Sequence, residues 1–354
     1  MKKTITSVLL AIALTLPSFS QETGSPFSQS DLKAYLERKS FSGAVLVKNS
    51  KGEIAQMVTG SADVNENKAI DIQARFKIAS ITKLFTSVII LQLEDEGLLT
   101  LDDALNKHLQ YEGIAYADQI TIKDLLMHTS GLKNESNASY LKAYKPDELI
   151  SRFATKKSNV PGKEHFYNNV DFLLLGKIIE AVSGKTFEEN LNEHILKPLQ
   201  MKNTGLITTH SLPEGVVTSF KVKAGKRKEE LKIHSENFWA AGSMYSTASD
   251  LLIFVEALKK GKLLSEKALT DLFTSDASLG YVALGCWSFN SPFIEGAPRV
   301  MERRGEILGS TSVIMTHLDG PETVIVLSNT DEFRPETFGD AENLKEYLFK
   351  KSFE

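Results

Sequence analysis

Ser80-Ile81-Thr82-Lys83-Leu84-Phe85-Thr86-Ser87-Val88-Ile89-Ile90-Leu91-Gln92-Leu93 is the stretch whose reading decides the architecture. Its apolar residues surround nearly the whole helix they imply, which ends near Gly97. A helix of that kind belongs in a core. Ser80 stands at its start, and Lys83 follows one turn later on the same face, within reach of the Ser80 hydroxyl. A cation in the first turn is opposed by the partial positive charge of a helix N-terminus. A plain serine cap is more naturally followed by Glu at that spacing. Burial lowers a lysine's pKa, and the neutral amine can then take the hydroxyl proton. The competing reading is a capping serine with a snorkelling lysine. The same spacing recurs at Ser30/Lys33, Ser130/Lys133 and Ser139/Lys142, in polar stretches that read as surface helix or loop. Context, rather than the motif, therefore singles out Ser80.

The 354 residues are 42% hydrophobic and 24% charged, an ordinary globular composition. A net charge of −4 and a pI near 6.1, with no long basic run, argue against a nucleic-acid partner. Lys2 and Lys3, the apolar core from Ile5 to Leu16, and Ser18 and Ser20 ahead of Gln21 have the order of a cleavable secretory signal. That core is too short to span a bilayer. No cysteine follows the expected cut to carry a lipid, and no later segment reads as a transmembrane helix. The expectation is a periplasmic or secreted protein with no stable membrane anchor: signal peptide 1–20, linker 21–29 and one domain over 30–354. Cys286, the only cysteine, cannot form an internal disulfide and reads as a buried small hydrophobe.

Ser30 to Arg38 reads as a first helix. Gly43–Val47 and Ile54–Val58 read as strands joined by the turn Asn49-Ser50-Lys51-Gly52. From Ser80 to about Leu272 the pattern is mainly helical, with segments at Ile120–Leu126, Phe172–Val182 (ended by Ser183-Gly184), Phe187–Leu196 and Ala248–Lys260. Strands return at Tyr281–Phe289, Arg299–Arg304, Thr311–His317 and Glu322–Ser328, and Glu336–Lys351 reads as a closing amphipathic helix. The fold expected is α+β: one antiparallel sheet built from both chain ends with flanking helices, and a mainly helical region, about 80–272, inserted between them.

Tyr167-Asn168-Asn169 precedes the apolar helix from Phe172. A phenol beside an ammonium has its pKa lowered and can relay a proton. An asparagine amide can hold a substrate carbonyl or fix a lysine. The plainer alternative is that Asn168 or Asn169 caps the helix while Tyr167 packs at its base.

These phrases, in this order, resemble the serine β-lactamase and penicillin-binding-protein superfamily, in the branch of class C β-lactamases, D-alanyl-D-alanine carboxypeptidases and related esterases. The likeness spans roughly Leu32 to Phe349. It is carried by Phe76–Lys83, Ile120–Leu132 (ending His128-Thr129-Ser130-Gly131-Leu132), Phe166–Asn169, Leu174–Glu180 and Ala240–Leu251. It implies that Ser80 is the acylated nucleophile, that Lys83 and Tyr167 share the acid and base work, and that Asn169 holds the substrate amide. The Ser80 N–H would donate one oxyanion hydrogen bond.

The superfamily's third motif is Lys/His-x-Gly on a strand facing the serine. Aligning Gly309 places Arg303-Arg304-Gly305 there. Arg303 keeps the charge and could bind a carboxylate, but it cannot relay a proton. Glu306 takes the position whose backbone N–H completes the oxyanion hole, and its carboxylate there calls for a partner such as Arg303 or Arg304. Arg303, Gly305 and Glu306 are thus the substrate-binding candidates. The plain alternative is an exposed, charged edge strand. His128 reads as structural. The histidines show no short metal-ligand spacing, and no phosphate loop or dinucleotide fingerprint occurs, so neither metal nor cofactor is expected. Asn134-Glu135-Ser136 and Asn137-Ala138-Ser139 match the glycosylation acceptor pattern and carry no functional reading.

The function expected is a secreted serine hydrolase working through an acyl-enzyme on a small-molecule or peptide substrate, cell-wall-derived material among the candidates. D-amino-acid peptides or small esters rank above β-lactams, because Arg303 and Glu306 depart from the β-lactamase pattern. The alternative is a non-catalytic binding or scaffold protein that keeps the fold. Oligomeric state is not readable from the sequence.

Overall fold

The computed structural model describes residues 29–63, 68–156, 159–210, 212–223, 226–340 and 342–354. The expected signal peptide and residues 21–28 of the expected linker lie outside them. Gln29 already belongs to the first helix, α1 (Gln29–Arg38).

The hairpin at the N-terminal end consists of β1 (Gly43–Lys48) and β2 (Ile54–Thr59). Its turn is held by Asn49, whose Oδ1 accepts from the Lys51 and Glu53 amides. The C-terminal strands are β3 (Trp287–Asn290), β4 (Arg299–Ile307), β5 (Ser310–His317) and β6 (Thr323–Ser328). All six form one antiparallel sheet in the order β2-β1-β6-β5-β4-β3. The two chain ends meet where β1 pairs with β6, Val45 opposite Val326.

Strand alternation sends side chains to two cores. Val45, Val47, Val313, Val324 and Val326 point to one shared with α1 and with α2 (Leu344–Lys351, at the chain end). Ala44, Leu46, Ile314, Ile325 and Leu327 point to the other, formed with the inserted region. Within the insertion the central helix is Thr82–Asp95, and every residue from Thr82 to Leu91 in it is buried. Phe85 stacks on Phe254 of the Ala248–Lys259 helix at 3.9 Å. A second apolar helix, Val170–Ser183, ends on Gly184 in the left-handed conformation at φ 70°, where glycine carries no Cβ penalty.

Several expectations need correction. Tyr281–Cys286 is not strand; only Trp287–Asn290 pairs in the sheet. The Gly285 turn (φ 80°) folds the apolar run beneath the central helix, its amide bonded to Leu126 O. A short apolar run does not distinguish a buried strand from a buried turn. The terminal helix starts at Leu344, not Glu336. Gly339 is left-handed at φ 73°, and Asn343 caps the helix through the Lys345 amide. The Phe187–Leu196 segment is an α-turn, Phe187–Leu191, followed by a π-turn, Asn192–Leu196. The inserted region also holds strands that the helical pattern hid. Gly205–Leu206 and Met244–Ser246 join Phe76–Lys77 in a small sheet, and Phe220–Lys223 pairs with Lys226–Glu229. Ser130 and Ser139, read as surface residues, are buried.

Gly176 lets the Val170–Ser183 helix approach the Trp239–Gly242 turn. A Cβ there would stand 2.6 Å from the Trp239 ring and 2.7 Å from Ala240 Cβ. Gly176→Val is expected to cost about 1–3 kcal/mol of stability, as overpacked cores do. Denaturant unfolding reads this directly, and an unchanged midpoint would contradict the close packing.

Candidate active site

Ser80 sits in the short 3-10 turn Ala79–Ile81 that leads into the central helix. Ala79 holds φ 45°, a conformation that costs a non-glycine residue energy and needs support. The support is local: Ile78 N donates to Met244 O at 3.0 Å, and Thr82 Oγ1 donates to Ala79 O at 2.7 Å. From the sheet side, Ser312 Oγ donates to Ile78 O at 3.0 Å.

The structure brings the separated motifs together. Lys83 Nζ donates to Ser80 Oγ at 3.2 Å, to Asn169 Oδ1 at 2.6 Å and to Ala241 O at 2.8 Å. Tyr167 OH lies 2.6 Å from Ser80 Oγ. Lys83 is fully buried (0% exposed), and burial lowers its pKa, with the Arg303 cation acting in the same direction. Burial alone would raise the Tyr167 phenol. The Lys83 and Arg303 cations outweigh it and bring the phenol from 10.0 to about 8. The site therefore holds a hydroxyl between two groups, each shifted toward its deprotonated form.

The two asparagines divide the roles that the sequence left open. Asn168 Oδ1 accepts from the Asp171 amide at 2.8 Å, a helix-capping contact. Asn169 faces Lys83 and donates through Nδ2 to Glu135 Oε1 at 2.7 Å. Beneath Tyr167 lies a polar cluster. His128 packs against the Tyr167 ring at 4.4 Å and reaches Asp171 Oδ2 at 3.2 Å. Ser130 Oγ and Asn168 Nδ2 donate to the same carboxylate. Burial pushes His128 down and Asp171 up, and the hydrogen-bonded cluster packs as a support under the phenol ring.

Arg303 is 1% exposed. Its Nε donates to Ser80 O at 2.7 Å and its Nη2 to Tyr167 OH at 3.1 Å. Its guanidinium lies over the Trp287 ring. It is neither an exposed edge charge nor directed outward at a carboxylate. Gly305 abuts the serine turn: a Cβ there would collide with Ile78 O and Ser312 Oγ and lie 3.1 Å from Ser80 N. β3 pairs only with residues 299–302 of β4, so residues 303–307 lack that strand neighbour and run beside the Ser80 turn instead. Glu306 does not pair with Arg303 or Arg304. Arg304 binds Glu302, and among the described residues Glu306 forms no ion pair. Burial raises its pKa, with Glu336 adding to the rise.

A cleft of about 700 Å³ opens beside Asn169 and Glu306. Sequence reading missed three contributors: Glu135, Tyr140 and the carbonyl of Ala241. The first two lie in a stretch that shows only a polar pattern, and a backbone carbonyl leaves no trace in residue identity. Cys286 is buried, its thiol pushed up to about 12 by burial. Beside the cleft, where the His234 amide donates to Tyr140 O at 2.8 Å, the fold also gathers His210, His234 and Glu236, with donor atoms within 4.8 Å of one another, a grouping that sequence spacing did not reveal.

The sheet, the buried Ser-x-x-Lys turn and the Tyr-x-Asn loop together define a class, and the chain belongs to the Beta-lactamase family, whose model matches residues 29–349. It is 28% identical over 259 residues to PbpX of Bacillus subtilis (strain 168), a penicillin-binding protein by name, covering 72% of this chain and 65% of that one. It is 27% identical over 241 residues to the teichoic acid D-alanine hydrolase of Staphylococcus aureus (strain MRSA252), covering 67% and 59%. The chain thus spans under two thirds of these relatives' own lengths. The D-stereospecific amidohydrolase from Streptomyces sp. shares the fold, with a TM-score of 0.75 at 24% identity over 91% of this chain and 98% of that one.

Proposed function

We propose that this chain is an exported serine hydrolase working through an acyl-enzyme on peptide, amide or ester substrates. The observation that carries the proposal is the Ser80–Lys83–Tyr167 hydrogen-bonded triangle. Ser80 Oγ attacks the carbonyl carbon, and its proton passes to Tyr167 or to neutral Lys83. The Ser80 N–H, with a backbone N–H of the adjoining β4 segment, receives the developing oxyanion. The held proton then goes to the leaving group, and water repeats the sequence to free the acyl group. Export rests on the signal pattern of residues 1–20. Among the described residues no helix is long and apolar enough to cross a membrane.

D-amino-acid amides, peptides and small esters rank above β-lactams as substrates. The family resemblance includes a D-alanine hydrolase, and the cation expected to receive a carboxylate is turned inward onto Ser80 and Tyr167. A fluorophosphonate or a fluorescent penicillin should label wild type at Ser80 and leave Ser80→Ala unlabelled, read by peptide mass spectrometry. Absence of label from both reagents, together with no ester hydrolysis by folded protein, would refute the hydrolase reading. Nitrocefin turnover at rates typical of resistance enzymes would reverse the substrate ranking.

A further inference from the structure

His210, His234 and Glu236 take no part in acyl transfer, yet folding draws their donor atoms within 4.8 Å of one another from two separate stretches of chain. The His210 and His234 ring centres lie 4.3 Å apart, with the planes tilted by 30°. His234 Nδ1 is 2.7 Å from Glu236 Oε1. The second carboxylate oxygen, Glu236 Oε2, is buried and has no hydrogen-bond partner among the described residues. A carboxylate oxygen shut off from water without a donor is costly. A metal cation would satisfy it.

The donor set selects the metal. Two imidazoles and one carboxylate suit zinc and its neighbours in the first transition row, whereas calcium and magnesium take oxygen ligands. Three protein ligands and one water complete a four-coordinate zinc site. Bonds of about 2.0–2.2 Å in a tetrahedron set the ligand atoms about 3.4 Å apart. His210 is exposed, so its side chain can swing inward over the remaining distance. A hollow of about 420 Å³, lined by His210 and by Ile233 and Ser235, which flank His234 in sequence, gives the ion a way in. Lys77 and Lys232 also line it, and Glu230 neutralises the first of these by an ion pair.

Position gives such an ion a role. His210 follows the short strand Gly205–Leu206, whereas His234 and Glu236 belong to the turn that walls the cleft. The His234 amide donates to Tyr140 O at 2.8 Å. Asn237 Nδ2 donates to Ser139 O and to Lys142 O, each at 2.8 Å. Phe238 stacks on Tyr140 at 4.0 Å, and the Tyr140 hydroxyl accepts from Asn169 Nδ2 at 3.3 Å. An ion joining His210 to this turn closes a loop through the paired segments Phe220–Lys223 and Lys226–Glu229, and a metal clip of that kind restricts the chain. We propose that His210, His234 and Glu236 bind one divalent ion of the zinc class, which braces the Tyr140–Phe238 wall of the cleft. Ser80, Lys83 and Tyr167 are not among its ligands, so the ion holds the wall and does not react.

Untagged protein is stripped with EDTA, and zinc binding is followed by calorimetry and by metal analysis after gel filtration for wild type, His210→Ala and Glu236→Gln. Wild type should retain one zinc per chain. Each variant should bind at least about tenfold more weakly, since losing even a partner of a metal ligand costs that much. With zinc at about 100 times its Kd, the wild-type Tm should rise by about 3–5 °C, and magnesium at the same concentration should not raise it. Amide exchange over residues 138–142 and 234–238 should slow with zinc in wild type only. The His210 side chain is exposed, so His210→Ala should keep the metal-free Tm, and it decides alone if Glu236→Gln does not fold. Zinc bound equally well by wild type and His210→Ala, or not bound at all, overturns the site. Magnesium acting as strongly as zinc also overturns it, as a general cation effect. Zinc bound at these residues without slower exchange in either segment overturns the brace. Zinc binding does not require Ser80 to be acylated, and fluorophosphonate labelling of Ser80 in the metal-free protein reports on the hydrolase reading separately.

Discussion

Lys83→Met is expected to lower kcat/KM for ester hydrolysis by about 10³- to 10⁴-fold, toward the upper end of what one positioned acid–base group contributes. Methionine fills similar space without an amine. The Lys83 Nζ donates to Ser80 Oγ, Asn169 Oδ1 and Ala241 O, and its burial lowers the pKa so that the neutral form becomes accessible. Removing it leaves the two acceptors beside Ser80 without their donor, at a cost of about 1–3 kcal/mol for each buried unsatisfied group. Loss of a buried cation offsets part of that. Unfolding and turnover are therefore measured together. Lys83→Arg separates charge from proton transfer, since arginine retains the donors but does not deprotonate. It should be as inactive as the methionine variant. Activity retained in Lys83→Arg would show that the site needs only a cation here, and the acid–base role of Lys83 would be wrong.

Tyr167→Phe should cost about 10²- to 10⁴-fold in kcat/KM and alter the pH profile. In the proposed mechanism the phenol, at about 8 in the folded protein, works as a base in its deprotonated form. The wild-type rate should thus climb with pH below about 8 and level off above it. The apparent value belongs to the Lys83–Tyr167 pair, because Nζ lies 4.8 Å from the ring centre and the two titrations are coupled. Arg303 supplies a second cation, its Nη2 3.1 Å from the phenol oxygen. Arg303→Gln removes that charge, raises the phenol and should move the ascending limb up by about 1 pH unit, the smaller end of the effect of one neighbouring charge. A limb that stays in place, or one that moves to lower pH, would mean that Arg303 does not tune Tyr167.

Much of the scaffold was legible in residue patterns. The all-apolar face of the central helix, the Asn49–Gly52 turn and the Ser183-Gly184 stop are local signals, and each element lies within two residues of its expected place. Errors fell where a local pattern supports two structures. The Val282–Cys286 run is apolar enough for a strand but turns at Gly285. Glu336–Lys351 has a helical pattern over its full length but is helical only from Leu344, because Gly339 and the Asn343 cap interrupt it.

The candidate site divides in the same way. Ser80 and Lys83 are three residues apart, so helix geometry alone makes them neighbours, and the residues themselves determine that pair along with the helix that buries it. Tyr167 is 87 residues from Ser80, and Arg303 is 223 residues away. Whether Arg303 points out to a carboxylate or in to the phenol depends on where β4 runs past the Ser80 turn, and only the packed sheet decides that. Glu135 shows the limit most plainly. In sequence it is one acidic residue in a polar stretch, and it becomes distinctive only when folding closes the Asn169 contact and removes water from its second oxygen. Side-chain identity specifies which groups are available, whereas burial, desolvation and long-range contact, which change their chemistry, exist only once the chain has closed around them.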